Sequence, residues 1–195
     1  MRAPFDKYLA ALATALSGLV LGLLLTATAL DEGYGFAPLV AGPWVAWPQT
    51  GAPEIDPYAR AAVAKRGEAP LARDLGLVFV ASADSAGAPL DGRCDYRLSA
   101  PVPAARFWTL EVATGEGAPV ANAANRHVLT SAEILRREGG AFEVALTRNA
   151  RSGNWLPTGA ARSFALVLRL YDTPLDLTAK PNRAAFPAIS KLVCA

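Results

Sequence analysis

The sequence predicts a mainly β protein: an antiparallel β-sandwich or jelly-roll-like domain with one or two short helices, preceded by one N-terminal transmembrane helix. Three observations predict it. Several short segments alternate apolar and polar residues with period two, and Gly/Pro turns separate them. Strands and helices do not alternate, which excludes a doubly wound nucleotide-binding sheet. One long uncharged apolar run lies close to the N-terminus.

That run covers residues 8–30 and contains no proline. As a helix it would extend about 34 Å at ~1.5 Å per residue, enough to cross a ~30 Å hydrocarbon core. A cleavable signal peptide and an uncleaved anchor both fit. Arg2 and Lys7 supply a basic start, and Ala27-Thr28-Ala29 resembles a cleavage site. The apolar stretch is longer than the 7–15 residues typical of a signal peptide, which favours the anchor. Arg2 and Lys7 precede the run while Asp31 and Glu32 follow it, so the positive-inside rule leaves the N-terminus in the cytoplasm. On either reading the rest of the chain is exported. The expected division is 1–30 for tip and anchor, 31–55 for a Pro/Gly-rich linker, and 56–195 for the β domain.

Residues 31–55 read as loop, punctuated by Gly33, Gly35, Pro38, Gly42, Pro43, Pro48, Gly51 and Pro53. Trp44 and Trp47 are expected to bury their indoles against the domain; ligand stacking is the alternative. Asp56-Pro57 opens a helix, with Asp as cap and Pro at the first position, and Gly67 ends it. Strands follow at residues 77–80, 93–98 and 106–112, the last with Trp108, Leu110 and Val112 on one face. Thr130 and Glu133 have capping-box spacing and predict a short helical turn ending at Gly139-Gly140. Phe142, Val144 and Leu146 mark another strand. Residues 163–171 form the last long one, with Phe164, Leu166, Leu168 and Leu170 on one side. Asn154-Trp155-Leu156-Pro157 reads as a tight loop anchored by its indole.

Composition narrows function. The 19 Lys+Arg nearly balance 17 Asp+Glu, giving +2 with only 18% charged residues, so no nucleic acid is expected as a partner. One His and two Cys exclude zinc fingers and Cys/His metal cages, and neither metal nor cofactor is expected. In an oxidising compartment Cys94 and Cys194 are expected to form a disulfide; two buried thiols are the alternative. The loop so closed, about 100 residues, corresponds to roughly 4–5 kcal/mol at most in the chain-entropy model.

The chain has no G-x-S-x-G elbow, Walker loop, dinucleotide fingerprint or H-E-x-x-H, and no residue is assigned as catalytic. His127 is expected to serve as a surface or half-buried hydrogen-bonding residue. The candidate ligand-binding set is Asn125, Arg126, Asn154, Arg169 and Tyr171. Arg169 interrupts an apolar strand, so it needs an acid or carbonyl partner. Pairing with an acid at the sheet edge and substrate binding are its two readings.

Gly153-Asn154-Trp155-Leu156-Pro157, followed by Phe164-x-Leu166-x-Leu168-Arg169-Leu170-Tyr171-Asp172-Thr173-Pro174, closely resembles the C-terminal signature of the bacterial family called domain of unknown function 1214. Arg106-Phe107-Trp108-Thr109-Leu110 is similar to its Phe-Trp strand and Asn125-Arg126 to its Asn-Arg turn. Asp56-Pro57-Tyr58-Ala59-Arg60-Ala61 and Cys94 resemble short, membrane-anchored members from Gram-negative proteobacteria. The resemblance spans about Leu75 to Pro174. It implies a jelly-roll type sandwich and suggests a partner protein carrying the related domain of unknown function 1254. It brings no catalytic residues.

The expected role is therefore a binding or structural module of the cell envelope, acting with a partner protein. It would be held in the inner membrane by a single pass through residues 8–30, with the domain in the periplasm. The alternative is an enzyme working on a carbohydrate or small envelope metabolite in a sheet-lined cleft.

Overall fold

The computed structural model describes residues 3–32, 38–66, 70–115, 117–175 and 181–194. Its first element is α1 (Ala3–Glu32), within which Lys7–Ala29 is long and apolar enough to cross a membrane, at a mean hydropathy of 2.2. Thr14, Thr26 and Thr28 return their hydroxyls to helix carbonyls three or four residues back, which satisfies these donors without water.

The remainder is two β-sheets face to face. The six-stranded sheet runs β1 (Leu39–Ala41), β2 (Trp44–Ala46), β3 (Gly76–Ala81), β9 (Ala165–Tyr171), β5 (Phe107–Ala113), β6 (Val128–Thr130), antiparallel throughout. The four-stranded sheet runs β10 (Ala188–Cys194), β4 (Cys94–Ser99), β7 (Glu143–Thr147), β8 (Trp155–Pro157), with only the β7–β8 pair parallel. Helix α2 (Pro57–Arg66) precedes β3, and Asp56 Oδ1 accepts from Ala59 N at 3.3 Å as the predicted cap. The expected stop at Gly67 lies outside the described residues.

Alternation places the core as read. Phe79 of β3, Leu110 of β5 and Leu166, Leu168 and Leu170 of β9 face Tyr96, Leu98, Val144 and Leu146 of the other sheet, all essentially fully buried in one cluster. Aromatic pairs bridge the layers: Tyr96 meets Phe164 edge-on at 5.8 Å and Trp108 stacks on Phe142 at 5.5 Å. Each such leucine contributes about 1.5–3 kcal/mol by leaving water.

The structure corrects three local readings. The stretch taken as loop over 31–55 contains the β1–β2 hairpin, because Trp44 and Ala46 alternate into the core while Val45 pairs with Val80. The helical turn expected at Thr130 is the end of β6 and a single turn. Thr130 N and Oγ1 do bond Glu133 Oε2, at 3.1 and 3.0 Å, but Ser131 N and Oγ bond the backbone of Trp108 and hold the chain along β5. The tight loop at 154–157 ends in β8, and β10 has no counterpart among the predicted strands.

Cys94 and Cys194 are bonded, joining the far end of β10 to the start of β4. Two aspartates shape the preceding turn. Asp84 Oδ1 accepts from Ala86 N and Ala88 N, both at 2.9 Å. Asp91 is gripped by Arg93 through side-chain bonds down to 2.6 Å and through the Arg93 N–H, and these hold its carboxyl at about 2 rather than the ordinary 3.8. Its pKa is depressed on folding, so its contribution is fully present above about 3.8 and is lost as pH falls through about 2. Titrating the carboxyl carbon by NMR should show Arg93→Met moving the midpoint upward toward 3.8, only in part because the residue-93 N–H bond stays; an unmoved midpoint would remove the Arg93 side chain as a cause.

Candidate functional site: an arginine-lined groove on the smaller sheet

The outward residues of β4 and β7 form the floor of a concavity of about 530 Å³. Asp95 and Arg97 come from β4, and Glu143, Ala145 and Thr147 from β7, all projecting away from the core by strand alternation. Loop residues Arg136 and Arg137 wall one side and Arg151 another, so four arginines meet two carboxylates.

Both carboxylates are engaged. Asp95 Oδ2 lies 3.3 Å from Arg151 Nη2, while Glu143 Oε2 lies 3.2 Å from Arg137 and 3.9 Å from Arg97. Arg136 pairs with no carboxylate among the described residues; it donates to Ser131 O at 3.4 Å and sits over the Phe142 ring at 5.4 Å. These pairs are largely solvent-exposed, the kind that contributes about 0–1 kcal/mol. An incoming anion can therefore recruit the guanidinia at little cost. Apolar surface borders the charge: Leu135, Leu192 and Val193 line the groove and are each more than half exposed. The arrangement suits an acidic ligand that also carries apolar groups.

Asn154 builds this groove. Its Oδ1 accepts from Leu135 N at 2.7 Å, and its Nδ2 donates to Leu135 O and Glu143 O, both at 2.9 Å. One amide thus ties the arginine loop to β7, with both of its donors spent on backbone carbonyls.

The other candidates lie elsewhere. Arg169 is on the outer face of the six-stranded sheet, where its Nη1 donates to Glu111 Oε2 at 2.5 Å. The expected acid partner is there, but β9 is a central strand, so the pair is not at a sheet edge. Asn125 and Arg126 belong to the loop before β6, with Asn125 at φ 51° and the Arg126 N–H bonded to Asn122 Oδ1. His127 is half-buried there, its ring nitrogens 3.1 Å from Val120 O and Asn125 Oδ1. Tyr171, at the end of β9, packs its ring 5.7 Å from Phe107. The five candidates therefore divide among separate places rather than meeting in one pocket. Sequence reasoning missed Arg97, Arg136, Arg137 and Arg151; the alternation Asp95, Arg97 on a strand's polar face was the available signal.

Residues 76–175 match the family described as Protein of unknown function (DUF1214). The chain belongs to the DUF1214 family. The match starts at β3 and ends past β9, so it holds most of both sheets but neither the β1–β2 hairpin nor β10. Among solved structures, the VPA0106 protein from Vibrio parahaemolyticus is similar at 21% identity and a TM-score of 0.55, over 70% of this chain and 36% of that one. An uncharacterized protein from Burkholderia cenocepacia is 20% identical with a TM-score of 0.42, over 64% and 31%. This DUF1214 chain thus corresponds to about a third of each solved relative, and the first likeness shows a shared fold. No curated protein matches the chain.

Proposed function

We propose that this DUF1214 protein is a single-pass inner-membrane protein whose β domain lies in the periplasm and binds an acidic partner protein through the groove. The observation that carries the reading is the surplus of guanidinium over carboxylate in a concavity edged by exposed Leu and Val. The basic residues before the apolar span, the acidic ones after it and the disulfide support the orientation. Both groove carboxylates sit in ion pairs, which favours recognition over acid–base chemistry.

Full-length protein in lipid nanodiscs, titrated with a soluble peptide of alternating Glu and Leu, tests the groove. Charge-assisted bonds contribute about 1.5–3 kcal/mol, so Arg97→Gln with Arg151→Gln should weaken binding about tenfold or more. Binding should also weaken steeply with added salt. Affinity indifferent to both would reject the groove as the site. Enrichment of a chain carrying the domain of unknown function 1254, above that seen with an unrelated anchored protein, checks the partner class.

A further inference from the structure

A second concavity, of about 460 Å³, lies on the opposite face of the sandwich. Its floor is the outer surface of the six-stranded sheet: Val78 and Val80 of β3, Val167 and Arg169 of β9, and Glu111 of β5. Trp47, Val63 and Leu71 border it without filling the space. Concave, mainly apolar spaces of roughly 300–1,000 Å³ with few polar groups are what small-molecule sites look like.

Register explains the polar spot. Arg169 lies opposite Val78 on one side and Thr109 on the other, while Glu111 lies opposite Val167. Glu111 is thus the diagonal neighbour of Arg169, within reach across the β5–β9 pair. The two charges cancel on a floor otherwise made of valine. The guanidinium spends one of its five donors on Glu111, leaving others for a ligand acceptor. Glu111 can accept a ligand proton in return, yet would repel an anionic head placed beside it.

The geometry points to a binding site for a neutral amphiphile: an apolar chain against Trp47, Val63 and Leu71, with a hydroxyl or amide head on the Arg169–Glu111 pair. This site is independent of the groove and of the partner proposed for it. Gly76 belongs to the same wall. Gly76 has φ 154°, and a Cβ there would come within 2.0 Å of Leu170 O, so the backbones of β3 and β9 close one end tightly.

Photolabelling tests it with full-length protein in nanodiscs. The probe is dodecanol bearing a diazirine, and mass spectrometry maps the adducts. Labels are expected on residues 76–80 and 163–171. Excess unlabelled dodecanol or dodecanamide should suppress them at least tenfold more effectively than dodecanoate. Arg169→Met with Glu111→Leu keeps the floor apolar and should abolish that preference. Val80→Phe, which fills the void, should reduce labelling severalfold even if the double variant does not fold. Labels confined to α1 would show bilayer partitioning only and overturn the site; equal competition by dodecanoate would overturn the neutral head.

Discussion

Replacing Trp44 with alanine is expected to destabilise the domain by about 3–5 kcal/mol, the range for truncating a fully buried large aromatic. The indole is completely buried and its Nε1 donates to Pro187 O at 2.8 Å, so truncation removes core packing and strands a carbonyl. That bond also joins the β1–β2 hairpin to the segment leading into β10, coupling the two elements that flank the family match at either end. Trp44→Phe should cost less: about 1–2 kcal/mol for the lost hydrogen bond, plus a packing loss smaller than that of alanine. Urea unfolding of the full-length protein followed by circular dichroism measures both. A loss below about 1 kcal/mol for Trp44→Ala would mean that the hairpin is not seated in the core.

The second large effect falls on the disulfide. Converting both Cys94 and Cys194 to serine should cost about 2–5 kcal/mol, since a long loop regains its freedom in the unfolded chain. The effect should also be local. Along β10 only Ile189 is buried, so little apolar surface holds the strand once the covalent link is gone. Ser85 helps at the near end, where its Oγ accepts from Ile189 N at 2.9 Å and its N–H donates to Ile189 O. Hydrogen exchange should therefore accelerate at residues 190–194, while Leu98, opposite Ile189, stays protected. Leu192 and Val193 border the groove, so the serine variant should also weaken binding of the Glu/Leu peptide. Unchanged stability and exchange in the serine variant would show that pairing alone holds β10.

Particular residues show how far the sequence could be read. The strands at 77–80, 106–112 and 163–171 were legible because a sandwich strand declares its buried face every second residue, a local property. The Asp56 cap was legible for the same reason, since donor and acceptor are three residues apart. The β1–β2 hairpin was not: each strand has three residues, too few for periodicity, and Pro and Gly around it read as loop. Strand β10 was hidden because its exposed Ser190, Lys191, Leu192 and Val193 show no alternation; pairing with β4 and the disulfide make it a strand. Thr130–Glu133 misled because a capping box and a strand end offer the same hydrogen bond. The choice was made by Ser131 bonding Trp108.

By itself the sequence determined the apolar span, the mainly β class, the core faces and the family, because each rests on neighbours within a few residues or on a stretch of consecutive motifs. Only the tertiary structure decided which polar side chains share a surface. Arg169 and Glu111 are 58 residues apart, and the register of β5 on β9 makes them a pair. Arg151 reaches Asp95 across 56 residues, with Arg97, Arg136 and Arg137 gathered along the same groove. Sheet pairing sets such distances through long-range backbone hydrogen bonds that no local pattern encodes, so the long alternating strands could be read in the sequence and the groove and cavity could not.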